Sequence, residues 1–133
     1  MSLPAKGKIL ALDLGNRRTG VAVSDKDQKV AFLRDELEHQ SDAELLSLLK
    51  SLAGQEDFVG ILVGMPLRLS GEASPQTIKV EEQIKQIKES LNLPIATIDE
   101  RFSTQEAFAP KMKVVDSRSA QILLENYFSS LKS

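Results

Sequence analysis

Three β-rich runs follow one another at the start of the chain with only short connections between them. The first, Lys8-Ile9-Leu10-Ala11-Leu12-Asp13-Leu14-Gly15, is apolar until it ends on an acid and a glycine. Asn16-Arg17-Arg18 leads into Thr19-Gly20-Val21-Ala22-Val23-Ser24-Asp25, and Asp27-Gln28 leads towards Val30-Ala31-Phe32-Leu33. A parallel return between strands needs a dozen or more residues, so strands joined this tightly must be antiparallel neighbours in a meander. Half of a sheet is thereby defined before any helix is considered.

From Ser41 the apolar period lengthens. Ser41 and Glu44 have the spacing of a capping box, Leu45, Leu46, Leu48, Leu49 and Leu52 follow, and Gly54 is the expected stop. Phe58-Val59-Gly60-Ile61-Leu62-Val63-Gly64 is nearly uninterrupted in its apolar character, as expected of a strand buried on both faces. A loop containing Gly and Pro spans residues 65–74. Ser74-Pro75 then reads as an N-cap with proline at the first helical position, and Val80, Ile84, Ile87 and Leu91 form one stripe. Pro94-Ile95-Ala96-Thr97-Ile98 is a fifth strand running into Asp99-Glu100-Arg101, and residues 104–109 suit a short amphipathic helix. A last helix starting near Asp116 should bury Ala120, Leu123, Leu124, Tyr127, Phe128 and Leu131. The order β-β-β-α-β-α-β-α predicts an α/β fold with a five-stranded mixed sheet, helices on its faces and the first strand between the second and fourth. With 133 residues, one domain over 1–133 is expected.

The residue inventory narrows the chemistry. The chain has no cysteine and one histidine, which excludes thiol catalysis, cysteine-bound metals and multi-histidine sites. His39 stands in a polar stretch before the first helix and reads as a surface residue. No apolar run approaches the roughly 18 residues of a membrane span, and no signal peptide is recognisable, so a cytoplasmic location is expected. Asp13 ends the first strand and reads either as a turn residue or as a ligand. One of Asp99 and Glu100 can look where Asp13 looks, because neighbours on a strand point to opposite faces. Asp116 could be a plain N-cap, yet its four-residue spacing from Ala120 puts it on the sheet-facing side of the helix. Three acids from separate segments repel unless a cation neutralises them, and these donors suit a hard ion, Mg²⁺ or Mn²⁺. Such ions promote phosphodiester hydrolysis. Seventeen Lys and Arg against nineteen Asp and Glu leave a net charge of −2. Even so, Arg17, Arg18, Arg68, Arg101, Lys111, Lys113 and Arg118 gather around the same loops, either as ordinary surface charges or as a phosphate-facing edge.

Residues 9–25, as quoted above, resemble the opening motif of the YqgF/RuvX family, described as pre-16S rRNA nucleases and as Holliday junction resolvases. Val63-Gly64-Met65-Pro66-Leu67 with Gly71 resembles its second motif, Asp99-Glu100-Arg101-Phe102-Ser103-Thr104-Gln105-Glu106-Ala107 its third, and Val115-Asp116-Ser117-Arg118-Ser119-Ala120 its fourth. The resemblance covers nearly the whole chain in the family's order. It implies an RNase H-like fold and an acidic metal site of Asp13, Glu100 and Asp116 acting in catalysis. Where related junction resolvases carry an acid at the end of the fourth strand, this chain has Gly64-Met65, so its second acid must come from the fifth. The implied activity is metal-dependent cleavage of structured nucleic acid, foremost the 5′ end of pre-16S rRNA in ribosome biogenesis. Four-way DNA junctions are the alternative substrate, and a non-catalytic assembly factor is the alternative class. Arg17, Arg18, Arg101, Lys111 and Lys113 are the expected nucleic-acid contacts. Precursor rRNA, branched DNA and ribosomal precursor particles are the expected partners, with the protein a monomer or homodimer.

Overall fold

The computed structural model describes residues 3–66, 72–99 and 117–131. Within them the chain forms β1 (Lys8–Asp13), β2 (Arg18–Ser24), β3 (Ala31–Glu38), α1 (Asp42–Gln55), β4 (Phe58–Met65), α2 (Pro75–Leu91), β5 (Ile95–Asp99) and α3 (Ser117–Ser130). The short helix expected over residues 104–109 lies outside the described residues. The five strands form one sheet in the order β3-β2-β1-β4-β5. β1 pairs antiparallel with β2 and parallel with β4, as the short hairpins and the longer crossovers require.

Alternation along the strands divides the core in two. Leu10, Leu12, Val21, Val23, Ile61 and Val63 face one side, where they pack with Leu45 and Leu49 of α1 and Val80 and Ile87 of α2. Ile9, Ala11, Ala22, Ala31 and Leu62 face the other, under Ala120, Leu123, Leu124 and Phe128 of α3. The residue sizes differ between faces. Among the described residues two helices cover bulky Leu and Val side chains on one face, whereas alanines at 11, 22 and 31 lie under α3 on the other.

The helix starts follow the sequence signals. Ser41 Oγ accepts the Glu44 N–H at 3.1 Å, while Glu44 reaches past Ser41 to the Gln40 N–H. Ser74 and Thr77 form a reciprocal capping box at α2, which ends on Asn92 in the left-handed conformation.

Three expectations need correction. β3 is longer than the apolar run at 30–33 and continues to Glu38, because an edge strand takes its ladder bonds from β2 and leaves its polar side chains in water. Arg34 uses that exposure to bind Glu56 through two nitrogens, at 2.7 and 2.8 Å. α1 runs one residue past Gly54, to Gln55. Leu131, expected in the buried face of the last helix, is 56% exposed because the helix ends at Ser130.

Candidate active site

Asp13 ends the central strand and is fully buried, with 0% of its surface exposed. It continues the series Ile9, Ala11, Asp13, so its side chain belongs to the α3 face of the sheet. Across the ladder its partner is Gly20, which contributes no side chain above it. On the other flank, Leu12 pairs with Val63, and the next residue of β4 is Gly64. A carboxylate in such a place loses several kcal/mol of hydration unless charge or hydrogen bonds replace it, on the order of 2–7 kcal/mol even for a neutral polar group.

α3 begins over the same corner. Ser117 Oγ accepts the backbone N–H of Val21 at 3.2 Å, and Val21 directly follows the glycine opposite Asp13. Ser117, like Ala120, is buried against the sheet. This bond between the start of α3 and β2 was not foreseen from the sequence, where Ser117 enters only as part of the fourth motif.

Of the two acids ending β5, Asp99 is described and half-buried, in register with Met65. Ala96 and Ile98 pack on the α3 side, whereas Thr97 lines a groove with Met65, Ile78 and Ile84 on the α2 side. The same alternation puts Asp99 on the α2 side, opposite Asp13. Glu100, Arg101, Lys111, Lys113 and Asp116, together with Arg68, lie outside the described residues. Arg17 and Arg18 are described and exposed: Arg17 ends the turn that follows Asp13, and Arg18 opens β2 opposite Glu38 of β3. Neither forms an ion pair with another described residue. Just before them, Asn16 Oδ1 accepts from Lys79 Nζ of α2 at 2.5 Å.

His39 is not a surface residue. It is 1% exposed, and its Nε2 lies 2.9 Å from Oγ1 of the equally buried Thr19. The apparent polarity of its sequence neighbourhood misleads because the chain turns inward here, between β3 and α1. Thr19 pairs with Leu37, which packs on the α1 side, so this pair and Asp13 are on opposite faces. Burial holds the ring below the ordinary histidine range; Asp42 and Glu44 oppose the shift and Lys79 adds to it. A folded-state pKa below the unfolded one means that the unfolded chain binds the proton first as pH falls. Stability is therefore full above about pH 6.5 and declines below it, by at most about 1.4 kcal/mol per pH unit for one proton. Thermal melts should show this decline as the pH falls below about 6.5, and His39→Gln should flatten it. A separate acid loss should follow at lower pH, as Asp25 and Glu56 are protonated. Backbone N–H groups, that of Val30 foremost, hold Asp25 below the usual carboxylate range, and Arg34 does the same for Glu56.

The donors at the Asp13 corner suit a hard divalent ion. Asp13 supplies buried carboxylate oxygens, the chain has no cysteine, and its one histidine is bonded to Thr19 on the opposite face. Among the described residues no three His, Cys, Asp or Glu side chains form a metal cluster. Asp13 is the one described member of the expected three.

A mixed five-stranded sheet of this order, with a buried acid ending its central strand, defines an RNase H-like α/β protein. The solved structures bear out the fold: Thermus thermophilus RuvC in complex with a Holliday junction substrate matches with a TM-score of 0.61, covering 94% of this chain and 96% of that one at 10% identity. A second T. thermophilus RuvC structure matches with a TM-score of 0.55. The chain belongs to the RuvX family, described as Holliday junction resolvase, whose sequence profile matches residues 7–130. Relatives that carry the name "Putative pre-16S rRNA nuclease" include a Koribacter versatilis protein, 35% identical over 91% of this chain and 86% of its own. A Halothermothrix orenii protein is 33% identical over 92% and 94%, and one from Thermoanaerobacter pseudethanolicus is 29% identical over 95% and 99%.

Proposed function

We propose that the chain is a single-domain, divalent-metal-dependent endonuclease that hydrolyses phosphodiester bonds in structured RNA, with the 5′ end of pre-16S rRNA as its substrate. The observation that carries this reading is the fully buried Asp13 at the end of the central strand, beneath the start of α3. Asp116 immediately precedes the anchored Ser117 in the chain, which supports it as a second ligand. Asp99 belongs to the opposite face, so one further step of strand alternation favours Glu100 as the third.

In this reading Asp13, Glu100 and Asp116 hold Mg²⁺ or Mn²⁺, and a bound ion of this kind activates water and stabilises the leaving oxygen. Asp13 supplies a rigid ligand because it ends a strand that is hydrogen-bonded on both sides. Arg17 and Arg18 meet the phosphates flanking the scissile bond, with Arg101, Lys111 and Lys113 extending that edge. Among the described residues no helix is long and apolar enough to cross a membrane, which is compatible with work on ribosomal precursors in the cytoplasm.

Cleavage of precursor rRNA and of a four-way DNA junction, assayed in parallel with Mg²⁺ and Mn²⁺, tests the proposal. Cutting of the RNA is the expected result. Cutting of the junction alone would reassign the substrate, and binding without any cleavage would leave an assembly factor. Binding should also depend on the basic turn. Each phosphate contact contributes a log–log salt slope of about −0.9 on duplex DNA and about −0.7 on single strands. Replacing both Arg17 and Arg18 with Ala should flatten the slope by roughly 1.4–1.8 and weaken binding across sequences, as a salt titration of the two proteins would show.

A further inference from the structure

Arg18 is held from both sides by one buried residue. The His39 backbone N–H donates to the Arg17 carbonyl at 2.9 Å, while the His39 ring bonds the Thr19 hydroxyl, also at 2.9 Å. We propose that His39 and Thr19 are positioning residues for nucleic-acid binding: their buried bond sets the Arg17-Arg18 turn so that both guanidinium groups meet backbone phosphates. This inference rests on the phosphate-binding role assigned above to that turn.

Three features support it. First, a buried ring with a partner on one nitrogen is a poor choice for stability alone. Nδ1 has no hydrogen-bond partner among the described residues, and an unmet buried polar atom is costly where an aliphatic side chain would cost nothing. Second, the turn is fixed from elsewhere as well. Lys79 of α2 holds Asn16, and Gln83 of α2 bonds Asp42 at the start of α1, three residues after His39. The residue before the two arginines is thus tied to α2, and α2 to the start of α1. Third, arginine loses much side-chain freedom on binding, so a backbone already fixed in the binding geometry lowers the remaining cost.

The test is anisotropy binding of a fluorescein-labelled RNA stem-loop, without divalent ions, across a salt series. The proteins are wild type, Thr19→Val, His39→Leu, His39→Gln and the Arg17→Ala/Arg18→Ala double variant, each with its melting temperature. Thr19→Val is nearly isosteric, so it removes the hydroxyl with little change of packing and stands in if His39→Leu does not fold. Thr19→Val and His39→Leu should weaken binding about three- to tenfold and flatten the salt slope. His39→Gln, whose amide reaches the Nε2 position, should stay within about twofold of wild type. Wild-type affinity and slope in Thr19→Val or His39→Leu, with only the melting temperature lowered, would overturn the proposal and leave the pair a structural element. If these variants bind normally while the double arginine variant is weakened, positioning alone fails. If the double arginine variant binds like wild type, the phosphate-binding role of the turn fails and the positioning proposal falls with it.

Discussion

Asp13→Asn should remove divalent-metal-dependent cleavage while leaving the protein folded. Asparagine has the shape of aspartate and keeps an acceptor oxygen, but it lacks the charge that a hard ion requires. Loss of an outer-shell partner at a metal site already costs about 10–100-fold, so losing the proposed ligand, buried at the end of the central strand, should exceed about 100-fold in kcat. Stability should move the other way. A fully buried carboxylate carries a desolvation cost that asparagine does not share, and the proposed ligands Glu100 and Asp116 would add repulsion to it in the metal-free protein. The variant should therefore melt at the same temperature as wild type or a few degrees higher. Mg²⁺ separates the two effects. Ligand at about 100 times its Kd stabilises a native state by roughly 2.7 kcal/mol, a shift wild type should show and Asp13→Asn should lose. A variant that still cuts at the wild-type rate would make Asp13 a turn residue.

The legible parts of this protein are those fixed by local rules. Turn length alone specified the β1-β2-β3 meander, and the apolar run at 58–64 placed β4 inside the sheet, as the strand order bears out. The illegible parts depend on what neighbours a segment. Arg34 to Glu38 look like loop residues because an edge strand needs few apolar side chains, and His39 looks exposed because nothing local announces that the chain turns inward. Asp13 was visible as an acid ending an apolar strand, but its complete burial was not, and the face it takes is the one packed under α3, more than a hundred residues away in sequence. Between Asp99 and Glu100, sequence left the choice open. The packing of Ala96 and Ile98 under α3 decides the face of Asp99, because it fixes which parity of β5 looks that way.

That dependence on α3 makes Leu123→Ala the most damaging core truncation for function. Leu123 is fully buried against Ala11, Ala22 and Leu62 of the sheet, and α3 is the one helix on that face among the described residues. Leu→Ala in a core costs about 2–5 kcal/mol, rising with the volume that stays unfilled. Leu49→Ala on the other face is the matched control. It lies in the core under α1 and α2, away from α3 and the Asp13 corner. At 133 residues, about 2–5 kcal/mol corresponds to a fall in melting temperature of roughly 7–18 °C for either variant. The difference should appear in catalysis below the melting range. A helix that settles towards the sheet at Leu123 pulls on the Ser117–Val21 bond at its start, next in sequence to the proposed ligand Asp116. Leu123→Ala should therefore lose kcat as well as stability, whereas Leu49→Ala should lose stability alone. Equal kcat in the two folded variants would mean that α3 roofs the sheet without setting the geometry of the metal ligands.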